Sequence, residues 1–500
     1  MQRRQAMERR TSGVLLHPTS LPGAGPNGTL GADAFAFVAF LHEAGQRLWQ
    51  MLPLGPPAAA DSPYMATSAF AMNPLLLDAE DLVRRGWLEA ACLSSRPAAG
   101  LLSDFEAHAA WQREVLIPAL VAGFSSRASA SDLADRATFE AEAHWLHDYA
   151  LFETIGQLHG PGQWQQWPSQ LRDRDPATLA AVAAAEAPAI EAVKLVQFAV
   201  DRQWQAVRAA ANASGIRIVG DIPIFVGLHS ADVWTERSLF ALGADGEPAF
   251  VAGVPPDYFS EIGQRWGNPL FDWEASAATG HHWWKQRVRA CLRQADMVRI
   301  DHFRGFEAYW AIPASAPDAR SGSWQPGPGR TLFDALRDSL GDLPIIAEDL
   351  GIITPEVEAL RDSLGLPGMK ILHFAFGGSD DHPYLPHNYP ERCVAYTGTH
   401  DNDTTVGWYA TCSEAEADHA RRYFGIDGLD IAWQLMEGLW RSPARMVLVP
   451  AQDLLSLGSE ERMNRPGSSV GNWCWRLRAG ALDAGVAARL RELSHRSGRS

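Results

Sequence analysis

The chain has 500 residues, 46% of them hydrophobic, and a formal net charge of −16, enough apolar material for a large core and one or two domains. The acidic balance excludes a nucleic-acid partner, whose backbone would be repelled, and with no run of about eighteen apolar residues no membrane span is predicted. Five cysteines, at 92, 291, 393, 412 and 474, are scattered without CxxC spacing, which predicts a reducing, cytoplasmic setting and excludes a disulfide frame or a zinc site.

In chain order, the opening MQRRQAMERRTS is basic, lacks the apolar stretch of a secretory signal and reads as a solvated tail over residues 1–12. Apolar runs ending in polar, Gly- or Pro-bearing turns then follow: GVLLHPTS from Gly13, LWQMLPLG from Leu48, IRIVGDIPIFV from Ile216 and MVRIDHF from Met297. After them come PIIAEDLG from Pro344, MKILHFAF from Met369, CVAYTGTHD from Cys393 and RMVLVPAQDLL from Arg445. Eight runs are what a closed (β/α)8 TIM barrel needs. Helical patterns between the later runs, such as TLFDALRDSLG and TPEVEALRDSLG, fit right-handed crossovers.

Two gaps are too long for simple crossovers. Residues from about 60 to 215 are Ala-rich and helix-patterned, and are predicted to form a large helical insertion. Residues 227–295 are punctuated by Gly and Pro around VAGVPPDYFSEIGQRWGNPLF, a long aromatic loop region of the kind that usually carries function. Residues 13–500 are therefore predicted to be one barrel domain with insertion subdomains at about 60–215 and 227–295, and no separate C-terminal domain.

Polar residues gather at the C-terminal ends of the runs, the catalytic face of such a barrel. Asp301 ends the fourth run, Glu348 the fifth and Asp401 the seventh; Asp221 ends the third, and His302 and His400 adjoin two of the trio. Retaining glycoside chemistry needs two carboxyl groups flanking the scissile bond, one a nucleophile and one a proton donor. Arg299 lies two residues before Asp301 on the same strand face, where a cation favours the ionised nucleophile. Burial and neighbouring carboxylates would keep a proton on Glu348. Taken alone, an Arg-x-Asp pair reads as a structural ion pair, and HDND as a candidate metal ligand set; no partner cluster with ligand spacing accompanies it, and no metal is expected. Nineteen tryptophans serve either core packing or stacking on sugar faces.

Together, Arg-x-Asp, Glu and His-Asp after runs four, five and seven resemble the α-amylase superfamily. The match narrows further. LLHPTSLPG, LPLGP, DSPY, GDIPIFV, VAGVPPDYFS, WGNPL, RIDHFRGF, AEDLG, THDNDT and GNWCWR, spread from about Gly13 to Arg476, resemble the amylomaltase (4-α-glucanotransferase) family, glycoside hydrolase family 77. That resemblance implies Asp301 as nucleophile, Glu348 as general acid/base and Asp401 as transition-state stabiliser, with Arg299, His302, His400 and Asp221 in supporting positions. It places Tyr64 against the sugar beside the cleavage point, and Tyr258 and Phe259 on a loop over the donor glucan, with Gln264 and Trp266 just beyond. It also implies a barrel without the amylases' C-terminal β-domain, no cofactor, and α-1,4-glucans as partners: maltooligosaccharides, amylose, and glucose as acceptor.

The implied reaction is disproportionation, passing a 4-α-glucan segment to an acceptor's 4-hydroxyl, with cycloamylose when the acceptor is the same chain. The same carboxylates would serve an α-glucan hydrolase. A non-catalytic glucan-binding protein is the reading from another class, but affinity alone needs no tuned acid and nucleophile. One departure stands out: Ala58-Ala59-Ala60 occupies the place where many members carry Gly-aromatic-Gly.

Overall fold

The eight apolar runs become eight parallel strands in the computed structural model, which describes residues 9–58, 61–256, 260–468 and 470–500. They are Thr11–Leu15, Leu48–Gln50, Arg217–Pro223, Met297–Asp301, Ile345–Ala347, Gly368–Ile371, Cys393–Tyr396 and Met446–Pro450. Each pairs with its sequence neighbour except the fifth with the sixth, and the eighth pairs with the first. The fold is a (β/α)8 barrel. Its first strand begins two residues earlier than the sequence suggested, so Thr11 and Ser12 belong to the barrel rather than to the basic tail. Arg10 is also tied in, donating to the carbonyls of Ser442 at 2.9 Å and Trp440 at 3.2 Å.

The seam between the fifth and sixth strands is closed differently from the others. There the Ala347 N–H donates to the Pro367 carbonyl at 2.9 Å, and the Met369 N–H to Asp349 Oδ1 at 2.6 Å. A carboxylate thus stands in for a missing rung of the ladder. A Cβ at Gly368 would lie 2.3 Å from Asp349 Oδ2, so glycine is required where the side chain leans in.

Period-2 alternation sorts each strand into two faces. Leu48, Val219, Met297, Ile346, Met369, Ile371, Val394, Tyr396, Met446 and Leu448 fill the barrel interior. Val14, Trp49, Ile218, Val447 and Val449 on one side, with Val298, Ile300, Ile345 and Ala347 on the other, face the surrounding helices. Burying each such side chain contributes roughly 1.5–3 kcal/mol.

The crossovers differ in weight. Between the second and third strands lies a series of helices that ends in Ala187–Ala213, which buries Leu195, Val196, Phe198, Val200, Trp204 and Val207. The fourth crossover carries Arg330–Leu340, with Leu332, Phe333 and Leu336 buried on one stripe. It stops at Gly341, whose φ of 76° and ψ of −145° are open in practice only to glycine. The sixth crossover has no α-helix, only the short 3-10 turns Leu372–Phe374 and Pro386–Asn388.

A second sheet was not foreseen from the sequence. Gln264–Pro269, Phe250–Val254, Ala308–Pro313 and Ser323–Pro326 form a four-stranded antiparallel sheet in that spatial order. Two of its strands come from the 227–295 segment and two from beyond the fourth barrel strand. It stands next to the turn that carries the nucleophile candidate.

Candidate active site

The third and fourth barrel strands run parallel with Asp221 directly opposite Arg299 and Pro223 opposite Asp301. Cross-strand partners point to the same face, so Asp221, Arg299 and Asp301 converge at the C-terminal mouth. Arg299 Nη1 donates to both oxygens of Asp221, at 2.9 and 2.7 Å, and Nη2 donates to Asp301 Oδ1 at 2.8 Å. The Asp221 side chain is 0% exposed and that of Asp301 28%. Arg299 therefore does more than face the carboxylate on its own strand: it neutralises a fully desolvated one and uses its free edge to hold the accessible one.

Burial pushes the Asp221 carboxyl upward, and the Arg299 guanidinium opposes that. The Tyr64 hydroxyl donates to Asp221 Oδ2 at 2.7 Å. Burial and the neighbouring Asp221 charge hold the Tyr64 phenol well above its ordinary range, so it stays a donor. The Tyr64 ring stacks on His400, with centroids 5.2 Å apart and planes 15° from parallel, and tilts against Trp473 at 5.9 Å.

Glu348 follows the fifth strand and is buried. Its Oε2 accepts from the His302 N–H at 2.6 Å and its Oε1 from the Leu350 N–H at 3.0 Å. Desolvation, then the charge of Asp301, pushes its carboxyl up to about 8. The His302 N–H is available because His302 sits in the left-handed region at φ 52°, turning the chain sharply after the strand. The imidazole is buried with Nε2 unpartnered, and burial followed by the Arg304 charge lowers it to about 3. It is neutral. Trp266 meets it edge-on at 4.9 Å, and the indole N–H donates to Gln264 Oε1 at 3.1 Å. Trp266 and Gln264 belong to the edge strand of the second sheet, which thereby forms a wall beside the nucleophile turn.

Asp401 lies five residues past the seventh strand, its side chain 45% exposed. His400 Nε2 approaches its Oδ2 at 3.3 Å, and Asn464 Nδ2 donates to its Oδ1 at 2.6 Å. Arg462 Nη2 donates to the Asp401 carbonyl at 2.9 Å. His400 is buried, and desolvation lowers its pKa against the opposing pull of Asp401.

Ten of the sequence-predicted site residues thus come together at one mouth: Asp221, Arg299, Asp301, His302, Glu348, His400, Asp401, Tyr64, Gln264 and Trp266. Tyr258, Phe259 and the last two residues of Ala58-Ala59-Ala60 lie outside the described residues. Asn464, Arg462 and Trp473 were not singled out. Trp473 lay inside the motif GNWCWR, but nothing local in RMNRPG marks Asn464, which reaches Asp401 across 63 residues of chain. Among the described residues no group of three or more His, Cys, Asp or Glu side chains is placed to hold a metal ion, and no helix is long and apolar enough to cross a membrane.

A buried, proton-retaining glutamate and a more accessible aspartate at the C-terminal mouth of a (β/α)8 barrel form a carboxyl pair of the kind glycoside chemistry uses. The comparisons with known proteins narrow this. The family model described as 4-alpha-glucanotransferase matches residues 16–482. The 4-alpha-glucanotransferase of Thermus thermophilus is 48% identical, the match spanning 97% of this chain and 98% of that one. The Arabidopsis thaliana chloroplastic/amyloplastic 4-alpha-glucanotransferase is 43% identical over 94% of this chain and 82% of its own. The amylomaltase of Streptococcus agalactiae, solved in complex with acarbose, superposes with a TM-score of 0.94 at 36% identity, covering 98% of this chain and 100% of that one. The chain belongs to the 4-alpha-glucanotransferase family, glycoside hydrolase family 77.

Proposed function

We propose that this protein is a 4-α-glucanotransferase that disproportionates α-1,4-glucans, with Asp301, Glu348 and Asp401 as its catalytic trio. The observation that carries the reading is the contrast between Glu348, buried and pushed up to about 8, and Asp301, held by Arg299 at 2.8 Å with its side chain partly open to solvent. Two carboxyl groups in unlike environments divide into acid and nucleophile.

In the first step an Asp301 oxygen attacks C1 of the donor glucan, the C1–O4 bond breaks, and Glu348 gives its proton to the departing 4-oxygen. In the second step Glu348 takes the proton of an acceptor's 4-hydroxyl, that oxygen attacks C1, and the ester to Asp301 breaks. No proton or electron is left over, and neither step calls for a metal or cofactor. Asp401 contacts the sugar hydroxyls most strongly in the oxocarbenium-like state. Tyr64 stacks beside the cleavage point, and Tyr258, Phe259, Gln264 and Trp266 line the donor side, with His302, His400, Arg299 and Asp221 in support. Acceptors are maltooligosaccharides, amylose or glucose. Residues 13–500 act as one catalytic unit, with 60–215 and 227–295 as insertions. Of its setting we propose the cytoplasm, on the strength of the scattered, unpaired cysteines.

Incubation with maltotriose tests this. Transfer yields glucose plus a ladder of longer maltooligosaccharides with total reducing ends unchanged. A rise in reducing ends would mean hydrolysis, and no change in either would mean binding only. Asp301→Asn should abolish the ladder, because the amide forms no glycosyl ester; turnover like the wild type would overturn the assignment.

A further inference from the structure

Asp401 is gripped by a segment distant in sequence. The stretch Arg462–Asn464 crosses beneath the seventh-strand turn and makes four contacts with it. The Asn464 N–H donates to the His400 carbonyl at 3.1 Å, and Arg462 Nη2 donates to the Asp401 carbonyl at 2.9 Å. Arg462 Nη1 lies 3.6 Å from Asp403 Oδ2, and Asn464 Nδ2 donates to Asp401 Oδ1 at 2.6 Å. Arg462 Nε also donates to the Asn464 carbonyl at 3.2 Å, so the segment braces itself. The Trp473 N–H donates to the Met463 carbonyl at 2.7 Å, anchoring the stretch to the residue that tilts against Tyr64 and His400. Asn464 itself is 9% exposed.

We propose that Asn464 is a positioning residue for the reaction: its side-chain amide fixes the rotation of the Asp401 carboxylate while leaving that group charged. An amide suits this task physically. A cation at 2.6 Å would compete with the sugar for the carboxylate, and an ionised carboxylate there would repel it. A neutral N–H donor orients one oxygen without cancelling the negative charge that the oxocarbenium-like state needs. His400, lowered in pKa by burial, lies 3.3 Å from the other oxygen, so Asn464 makes the one side-chain hydrogen bond recorded to the Asp401 carboxylate among the described residues. The inference rests on the role of Asp401 proposed above.

The test compares Asn464→Ala and Asn464→Asp in the full-length protein, measuring maltotriose transfer against pH, with thermal unfolding of each variant. Asn464→Ala removes the donor at every pH. Its kcat should fall on the order of tenfold to a hundredfold through carboxylate misplacement, with KM little changed and the pH profile unaltered in shape. Asn464→Asp places two carboxyl groups at hydrogen-bond distance, which then share one proton over a widened range. While that proton is shared, the new side chain donates to Asp401 as the amide did. Activity should therefore recover toward wild type at acid pH and be lost as pH rises through the pair's upper pKa, well before the basic limb set by Glu348.

The acid-to-neutral ratio is read within one preparation, so it does not depend on how much of the variant is folded. If Asn464→Asp tracks Asn464→Ala at every pH, or if Asn464→Ala keeps wild-type kcat, the positioning role is wrong. Wild-type enzyme and Asp301→Asn run alongside separate the two readings: absence of a wild-type ladder would sink the proposed activity, whereas a normal ladder without acid recovery would sink only the role of Asn464.

Discussion

Asp221 is the residue that most needs its neighbours. It is wholly desolvated, and it is held by one guanidinium and one phenol. Removing one partner of a buried pair costs more than the pair itself contributes, because the remaining charge is stranded, typically by about 3–5 kcal/mol. Arg299→Met should therefore destabilise the protein by about that amount. Adding Asp221→Asn should restore much of the loss, since no unpaired charge remains, yet activity should stay absent because Asp301 has lost its cation. Denaturant unfolding of both single variants and the double checks this, and additive losses would show the pair not to be coupled. Glu348 gives a second expectation. Its carboxyl is raised to about 8, so the proton that the proposed acid donates is present below that pH and lost above it. The basic limb of kcat/KM for maltotriose should fall near 8 and should be absent for α-glucosyl fluoride, whose leaving group needs no proton. The same shift has a stability consequence with a definite sign. The folded state binds the proton more tightly than the unfolded chain, so stability is lost as pH rises from the ordinary carboxyl range through about 8. Glu348→Gln cannot ionise. Its Tm relative to wild type should therefore climb between pH 5 and pH 8.5, and a constant difference would contradict the burial argument.

At the scale of elements, the turn after the fourth strand and the seam between the fifth and sixth set the spacing of nucleophile and acid. The left-handed His302 costs about 1–2 kcal/mol, and in return the chain reverses so that the His302 N–H meets the Glu348 side chain and the Phe303 N–H meets the Glu348 carbonyl at 3.0 Å. The next residue, Asp349, points the other way and closes the seam. Gly368→Ala should drive a methyl into that carboxylate and destabilise the barrel by about 1–3 kcal/mol. In an Asp349→Ala background the same substitution should cost far less, a non-additivity that a double-mutant cycle in urea would measure. These details bear on what was legible in the chain. The eight strands could be read because each is a short apolar run ended by a turn, and the trio because Asp301, Glu348 and Asp401 follow three of those runs directly. The pairing of Arg299 with Asp221 was half legible: strand alternation put Arg299 with Asp301, but the stronger contact depends on the register of a neighbouring strand. The second sheet was hidden for a different reason. Gly253, Gly267 and Pro269 interrupt its alternation, and its strands pair across the fourth barrel strand, so each looks like a loop until its partner is found. Asn464 has no local signal at all, since its only distinction is the carboxylate it reaches.

Across the whole molecule, the outcome of the proposed reaction depends on whether water or a sugar hydroxyl reaches C1 while the glucan is held on the proposed nucleophile, Asp301. The barrel supplies the chemistry, and the second sheet supplies one wall, with Trp266 against His302 at 4.9 Å. The strands Phe250–Val254 and Gln264–Pro269 are antiparallel neighbours, and Tyr258 and Phe259 fall between them in sequence. Under the proposed function these two aromatic side chains act on the donor side to exclude water, and an enclosed site favours the acceptor that brings its own contacts. Replacing Tyr258 and Phe259 together by alanine tests that proposal, with thermal unfolding of the variant run alongside to separate a change in the site from a change in stability. The KM for maltotriose should rise several-fold, and the share of turnovers ending in hydrolysis, read as new reducing ends per glucose released, should rise with it. The single substitution Trp266→Ala bears on the same question from the wall itself. It should raise the hydrolytic share too, but it should also lower kcat, since it withdraws the edge contact from His302. An unchanged transfer-to-hydrolysis ratio in the double variant, alongside a changed one in Trp266→Ala, would place the exclusion of water in the sheet and not in Tyr258 and Phe259.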